Sequence, residues 1–309
     1  MTSEHDGIDK HFQEHRSHLR DVAYRILGSA SDADDAVQEA WSRVSQAESG
    51  EVMNLRGWLT TVVARISLNM LRSRKVRREA PLDGEGSTAA IPFTGPDAEQ
   101  EAMLADSVGL ALLVVLERLT PAERLAFVLH DIFELPFEEI APIVERSPAA
   151  ARQLASRARR RVRGIGVAGD ADLGRRRKVV EAFLSASREG DFGALLTLLD
   201  PDIVVRIEGA GRDAVGQREL RGVQTVLERA RDFARAARFC RVVLLNGEPG
   251  LIMAPRGHLV RALVFTFAGD TITSIEVIAE PARLRQLDIS VLERAHASHP
   301  GQTLFENPN

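Results

Sequence analysis

Residues 135–163 read LPFEEIAPIVERSPAAARQLASRARRRVR, and their pattern is a short apolar helix, a turn and a longer basic helix. Ser147 is placed to cap the second helix and Pro148 to occupy its first position, where a missing N–H costs nothing. On a helical wheel Leu154, Ala158, Ala151, Val162 and Ala155 fall within a ~100-degree arc. Gln153, Ser156 and Arg160 lie opposite, flanked by Arg152, Arg157 and Arg163. The turn falls at 145–147. Pro142 sits awkwardly in the first helix, because it removes one backbone hydrogen bond.

A helix with one narrow apolar face and one face of Arg, Gln and Ser has the chemistry of a major-groove reader. Arginine donates two hydrogen bonds to guanine and glutamine pairs with adenine. The first turns of such a helix meet base edges, which favours Arg152, Gln153 and Ser156. Arg157 and Arg160, with Arg159, Arg161 and Arg163, suit phosphates. The competing reading is a solvated basic helix face; the preceding short helix and turn favour the DNA reading.

Working outward, charge sorts into blocks. The net charge of −4 argues by itself against a nucleic-acid binder, but residues 146–163 carry seven basic and no acidic groups, and residues 52–79 carry seven and one. The stretches 1–51, 80–101 and 102–145 are acidic, and 164–309 is balanced. At 309 residues the chain exceeds one ordinary domain. One cysteine, Cys240, excludes an intramolecular disulfide and a cysteine-cluster zinc site. No apolar run approaches the ~20 residues of a membrane helix, and the polar, acidic N-terminus is not a secretory signal. These features predict a cytoplasmic protein with no membrane partner, no metal and no cofactor.

The first 79 residues predict three helices. Leu19, Val22, Ala23, Ile26 and Leu27 form a stripe that stops at Gly28. Ser31 offers the next N-cap ahead of Asp32, Asp34 and Asp35, and a third helix over 55–78 carries the first basic block. Residues 80–101, with three prolines and no basic residue, predict a flexible linker. A helix over 98–118 follows, then one capped by Thr120 with Pro121 in its first position. Beyond 174 the pattern becomes α+β: helices over 175–188, 192–199 and 218–238, and strands over 203–208, 240–246, 251–254, 258–267 and 271–279.

Leu119-Thr120-Pro121-Ala122-Glu123-Arg124, Phe137-Glu138-Glu139-Ile140-Ala141 and Ser147-Pro148-Ala149-Ala150-Ala151-Arg152 together resemble region 4 of the extracytoplasmic-function sigma factors of the sigma-70 family. That region binds promoter −35 elements. The first 80 residues resemble region 2. Asp35-Ala36-Val37-Gln38-Glu39-Ala40-Trp41 looks like the segment that docks on the clamp helices of the RNA polymerase β′ subunit. Gly57-Trp58-Leu59 and Leu68-Asn69-Met70-Leu71-Arg72 look like the part that melts and reads the −10 element. The C-terminal part is similar to a SnoaL-like domain, a combination found in sigma factors of the SigJ type. The chain departs from the family at Arg65 and Asn69, where many members have Asn and Asp.

The resemblance implies a multidomain chain. It would hold two all-α sigma domains, a region 2 bundle (1–79) and a region 4 helix-turn-helix (102–166), joined by an acidic linker (80–101). A cone-shaped α+β SnoaL-like regulatory domain (174–293) and a tail (294–309) would follow. It implies core RNA polymerase, through β′ and β, and promoter DNA as partners. Asp32, Asp35, Gln38 and Trp41 would touch polymerase. Trp58, Arg65, Asn69, Arg72, Arg74 and Lys75 would serve the −10 element and its backbone, although Trp58 equally suits a core and the aspartates equally suit helix capping. The C-terminal domain could hold a small molecule of unspecified chemistry.

No nucleophile–base pair or metal-ligand spacing stands out, so no catalytic residue is assigned. Asp200, Asp202, Glu208, Asp213, His258 and Asp270 are the candidates for acid–base work in a cyclase-like cavity. Two alternatives stand beside a sigma factor. One is a helix-turn-helix regulator that does not dock on polymerase. The other is a cyclase- or isomerase-like enzyme fused to a DNA-binding module.

Overall fold

The computed structural model describes residues 2–45, 54–79, 109–163, 171–208 and 217–291. The linker 80–101, the tail 294–309 and Asp213 lie outside them. The described residues form two compact units, one of residues up to 79 with 116–160, the other of 109–115 with 161–291.

In the first unit, α1 (Thr2–Leu27), α2 (Ala30–Val44) and α3 (Leu55–Glu79) pack on one another. Leu19, Val22, Ala23, Ile26 and Leu27 are all buried, as their spacing predicts, against Ala33, Val37 and Ala40 of α2 and Leu59, Val63 and Ile66 of α3. Gly28 ends α1 with φ 76, a conformation only glycine adopts freely, and its N–H donates to Tyr24 O at 2.7 Å. The reversal takes one residue, so α2 restarts at once. Ser29, not the expected Ser31, is therefore its N-cap and accepts from the Asp32 N–H.

The expected helix over 98–118 is described only as α4 (Leu110–Glu117), and the division between the two units passes through it. Thr120 and Glu123 form a capping box around the start of α5 (Pro121–Phe127), each accepting from the other's backbone N–H. One π-helical turn, Val128–Ile132, leads to α6 (Phe137–Val144) and α7 (Pro148–Arg163). Pro142 does lie inside α6. Burial of Phe137, Ile140, Ala141, Ile143 and Val144 offsets its lost bond, at ~1.5–3 kcal/mol for each large apolar side chain. Glu145, at φ 58, ends α6, and the Arg146 N–H returns to Ala141 O at 3.0 Å.

The second unit begins with α8 (Ala171–Glu189) and α9 (Phe192–Leu198). Then come β1 (Leu199–Glu208), β2 (Gln217–Arg221), α10 (Val223–Ala237), β3 (Cys240–Leu245), β4 (Glu248–Met253), β5 (Arg261–Ala268) and β6 (Thr271–Ile278). A short α11 (Pro281–Gln286) and β7 (Ile289–Ser290) complete it. The sheet runs β2-β1-β6-β5-β4-β3-β7, with β1 and β6 parallel and the other neighbours antiparallel. Asn246-Gly247, both at positive φ, make the tight turn between β3 and β4.

Two expectations change. The helix expected over 218–238 starts only at Val223, because Gln217–Arg221 pairs as a strand with β1. The strand expected from His258 starts at Arg261. One face of the sheet is covered by α8, α9 and α10. The core there includes Phe183, Leu195, Val226, Leu251, Leu263 and Ile275. This is the α+β architecture expected for residues 174–293.

Candidate nucleic-acid interface

Helix α7 divides as its wheel predicts. Ala151, Ala155, Ala158 and Val162 are buried, while Arg152, Gln153, Ser156, Arg157 and Arg160 are exposed. Ser147 accepts from the Ala150 N–H at 3.2 Å, which fixes the first turn. Small residues on the buried face let α7 approach its neighbours closely. Glu123, buried at the start of α5, accepts from Arg157 Nε at 3.2 Å. Asp131 accepts from Arg159 Nε at 2.7 Å, and the Arg152 guanidinium lies over the Phe137 ring at 5.3 Å. Arg157 and Arg159 thus anchor the helix at its flanks, leaving Arg152, Gln153, Ser156 and Arg160 pointing outward without an ion pair among the described residues.

On α3, Trp58, Arg65, Asn69 and Arg72 recur at positions that share one face. Arg65, Asn69 and Arg72 are exposed and Trp58 is half-buried. Arg74 is on the opposite face. It forms an ion pair with Asp32 and donates to Leu27 O at 3.3 Å, so two residues assigned to different partners meet each other. The Lys75 side chain lies outside the described atoms. On α2, Asp35 and Gln38 are exposed beside Glu39, and Trp41 is half-buried with its ring 4.9 Å from that of Phe12. Asp34, by contrast, is tied to Arg20 at 2.6 Å.

The three-helix bundle and the helix-turn-helix share contacts within the first unit. Arg72 on α3 pairs with Glu145 at the end of α6, at 3.3 Å. Arg124 donates to Arg25 O at 3.4 Å, and its Nη2 lies close enough to Gly28 that a Cβ there would stand 3.0 Å away. Burial pushes the Arg124 guanidinium down to about 10, against a partial offset from Glu117. The Phe133 ring meets His18 edge-on at 5.4 Å and takes the Arg25 guanidinium over its face at 5.5 Å. Sequence reasoning missed these cross-module contacts. Arg124, a cation in a short helix whose other residues apart from Glu123 are apolar, was their one available signal.

In the second unit the acids singled out for acid–base work are elsewhere engaged or exposed. Asp200 accepts from the Asp202 N–H at 2.8 Å, an ordinary Asx turn. Asp202, His258 and Asp270 are exposed. Glu208 binds Arg283 and accepts from the Ala279 N–H at 3.2 Å and the Glu280 N–H at 3.4 Å. Burial works to raise its carboxyl, but Arg283 and these N–H groups outweigh it and hold the group below the usual range. A cavity of about 280 Å³ lies between the sheet and its helices, and no described acid or histidine lines it. Cys240 is buried, and desolvation pushes its thiol up to about 12. Among the described residues no cluster of His, Cys, Asp or Glu could hold a metal, and no helix is long and apolar enough to cross a membrane.

The family model for Sigma-70 region 2 matches residues 11–77, and that for Sigma-70, region 4 matches residues 109–162. The chain is 34% identical over 297 residues to a probable ECF RNA polymerase sigma factor, SigI, of Mycobacterium tuberculosis, covering 92% of this chain and 97% of that protein. It is 40% identical over 222 residues to the ECF RNA polymerase sigma factor SigJ of the same organism, covering 70% of each. The crystal structure of M. tuberculosis SigJ aligns over 89% of this chain and 97% of that one, at 32% identity and a TM-score of 0.43.

Proposed function

Because the chain belongs to the extracytoplasmic-function sigma factors, which direct transcription initiation by RNA polymerase core at promoter DNA, we propose how its own residues divide that work. Helix α7 enters the major groove of the −35 element. Arg152, Gln153 and Ser156 read base edges there, and Arg157 and Arg160 lie along phosphates. The α3 face of Trp58, Arg65, Asn69 and Arg72 meets the −10 element, with Lys75 toward its backbone, while Arg74 is taken up by Asp32. Stacking of an unpaired base on Trp58 would contribute ~1–3 kcal/mol.

Asp35, Gln38 and Trp41 dock on β′, and the helix-turn-helix module meets β. Asp35 and Gln38 present the contact, while Asp32, through Arg74, fixes the start of α2 on α3. The functional parts are 1–79, 80–101 as tether, 102–166, 174–293 as regulator and 294–309. A tether between two DNA-reading modules raises effective concentration, so neither must bind tightly alone. The protein works in the cytoplasm, and the 174–293 domain regulates rather than catalyses. The lack of an acid or histidine on the cavity wall, among the described residues, supports that.

The observation that carries this reading is the outward row Arg152, Gln153, Ser156 and Arg160 on a helix whose flanks are pinned by Glu123 and Asp131. The test is a pull-down of core polymerase with the full chain and an Asp35→Lys/Gln38→Ala variant, paired with promoter selection by an Arg152→Ala variant. The reading expects the first change to weaken polymerase capture and the second to alter −35 preference. Unchanged capture and unchanged preference would refute the residue assignments.

A further inference from the structure

The sheet of the second unit has two faces that treat arginine differently. On the face away from α8, α9 and α10, Arg206 and Arg221 share Glu219, and Arg283 of α11 lies between Glu208 and Glu276. On the helix-covered face, Arg218 and Arg261 line the cavity and neither forms an ion pair among the described residues. Strand register explains the contrast. Ile207 stands opposite Arg218 on β2 and Val277 on β6, and Val277 stands opposite Leu263, two residues along from Arg261. Side chains two apart share a face, so both arginines point to the cavity side.

They also stand at one end of it. Arg218 is the second residue of β2, Arg261 opens β5, and β1 and β6 finish there. Three strand spacings and a two-residue offset separate their backbones, roughly 16 Å, a gap that two long side chains can close over an anion. The rest of the wall is apolar, including Phe183, Leu195, Phe233 and Met253, with one exception. Ser187 is 2% exposed and lines the cavity, and its Oγ makes no hydrogen bond with the protein. A buried hydroxyl without a partner is uncommon in folded proteins, and a guest in the cavity would supply one.

We propose that this cavity binds an amphipathic organic anion: a carboxylate held between Arg218 and Arg261, with an apolar body running inward past Ser187. At ~30 Å³ per non-hydrogen atom, the density of a small liquid, the volume admits a guest of roughly ten such atoms. That is a medium-chain or single-ring carboxylic acid, not a whole lipid. Cationic guests are excluded by two guanidiniums that no acid pairs among the described residues, and short polar anions by the hydrocarbon wall. Binding is read without polymerase or DNA, so its failure is separate from any failure of the transcriptional assignments.

The experiment is calorimetric titration of the full chain with octanoate, 1-octanol and octylammonium. The same titrations are made on an Arg218→Gln/Arg261→Gln variant whose folding is checked by circular dichroism. We expect saturable octanoate binding, at least tenfold weaker binding of the alcohol and none of the cation. In the double variant, octanoate should fall to the level of the alcohol. No octanoate binding by the folded wild-type chain at millimolar concentration would overturn the proposal. So would equal binding of all three probes, or octanoate affinity unchanged by the double substitution.

Discussion

Glu123 Oε1 accepts from Arg157 Nε at 3.2 Å, while Oε2 of the same carboxylate accepts from the Thr120 N–H at 3.2 Å. One buried acid therefore closes the first turn of α5 and holds the recognition helix against it. Glu123→Ala removes both. Loss of such a cap costs about 1 kcal/mol, and the exposed side of Arg157 keeps the ion-pair contribution small. Thermal unfolding should show a lowered first transition. Binding to −35 DNA should weaken alike for all sequences, since the anchor and not the base contacts is lost.

Arg152→Ala and Gln153→Ala should relax base choice at the −35 element, each costing ~1–3 kcal/mol against the preferred sequence. Arg160→Ala should instead weaken binding uniformly and reduce the steepness of its salt dependence by about one counterion. Selection from a randomised −35 library, followed by salt titration, separates the two outcomes.

On α2, Asp35→Lys should reduce capture of core polymerase with unchanged melting, because Asp35 is exposed and forms no ion pair among the described residues. Asp32→Ala should lower the melting temperature as well, because it frees Arg74 from the start of α2. Polymerase pull-down alongside differential scanning calorimetry checks the pair.

Cys240 gives a pH dependence. In the unfolded chain a thiol ionises near 9, whereas burial holds the folded thiol near 12. Between those values the unfolded state loses a proton that the folded state keeps. Stability supplied by this group is complete below pH 9 and falls by ~1.4 kcal/mol for each unit above it. Urea unfolding from pH 8 to 10 should show that loss, and Cys240→Ala should flatten it. In the native chain at pH 8, iodoacetamide should leave Cys240 unlabelled.

The faces of α7 were legible because a 3.6-residue period with alanine on one side and arginine on the other has one amphipathic solution. The caps at Thr120 and Ser147 were legible for a similar reason: a hydroxyl followed by proline marks a helix start locally. Strand β2 was not, since Gln217–Arg221 is charged and is held as a strand by its pairing with β1, which no local pattern encodes. The Arg74–Asp32 pair and the seat of Arg124 depend on how α3 and α5 pack, so residues judged singly for DNA or polymerase turned out to meet within the protein. In the second unit, reasoning from turn-flanking acids led to Asp200 and Glu208, which serve the backbone. The pair Arg218 and Arg261, without an ion pair among the described residues, became visible only once strand register put both on the covered face.

The most direct test of the account is run-off transcription by purified core polymerase, with and without the full chain, on templates whose −35 and −10 elements are varied. The account predicts specific transcripts only when the chain is present, with start-site choice altered by Arg152→Ala at the −35 element and by Asn69→Ala at the −10 element. Absence of any chain-dependent transcript across a promoter library, or transcripts indifferent to both substitutions, would contradict it.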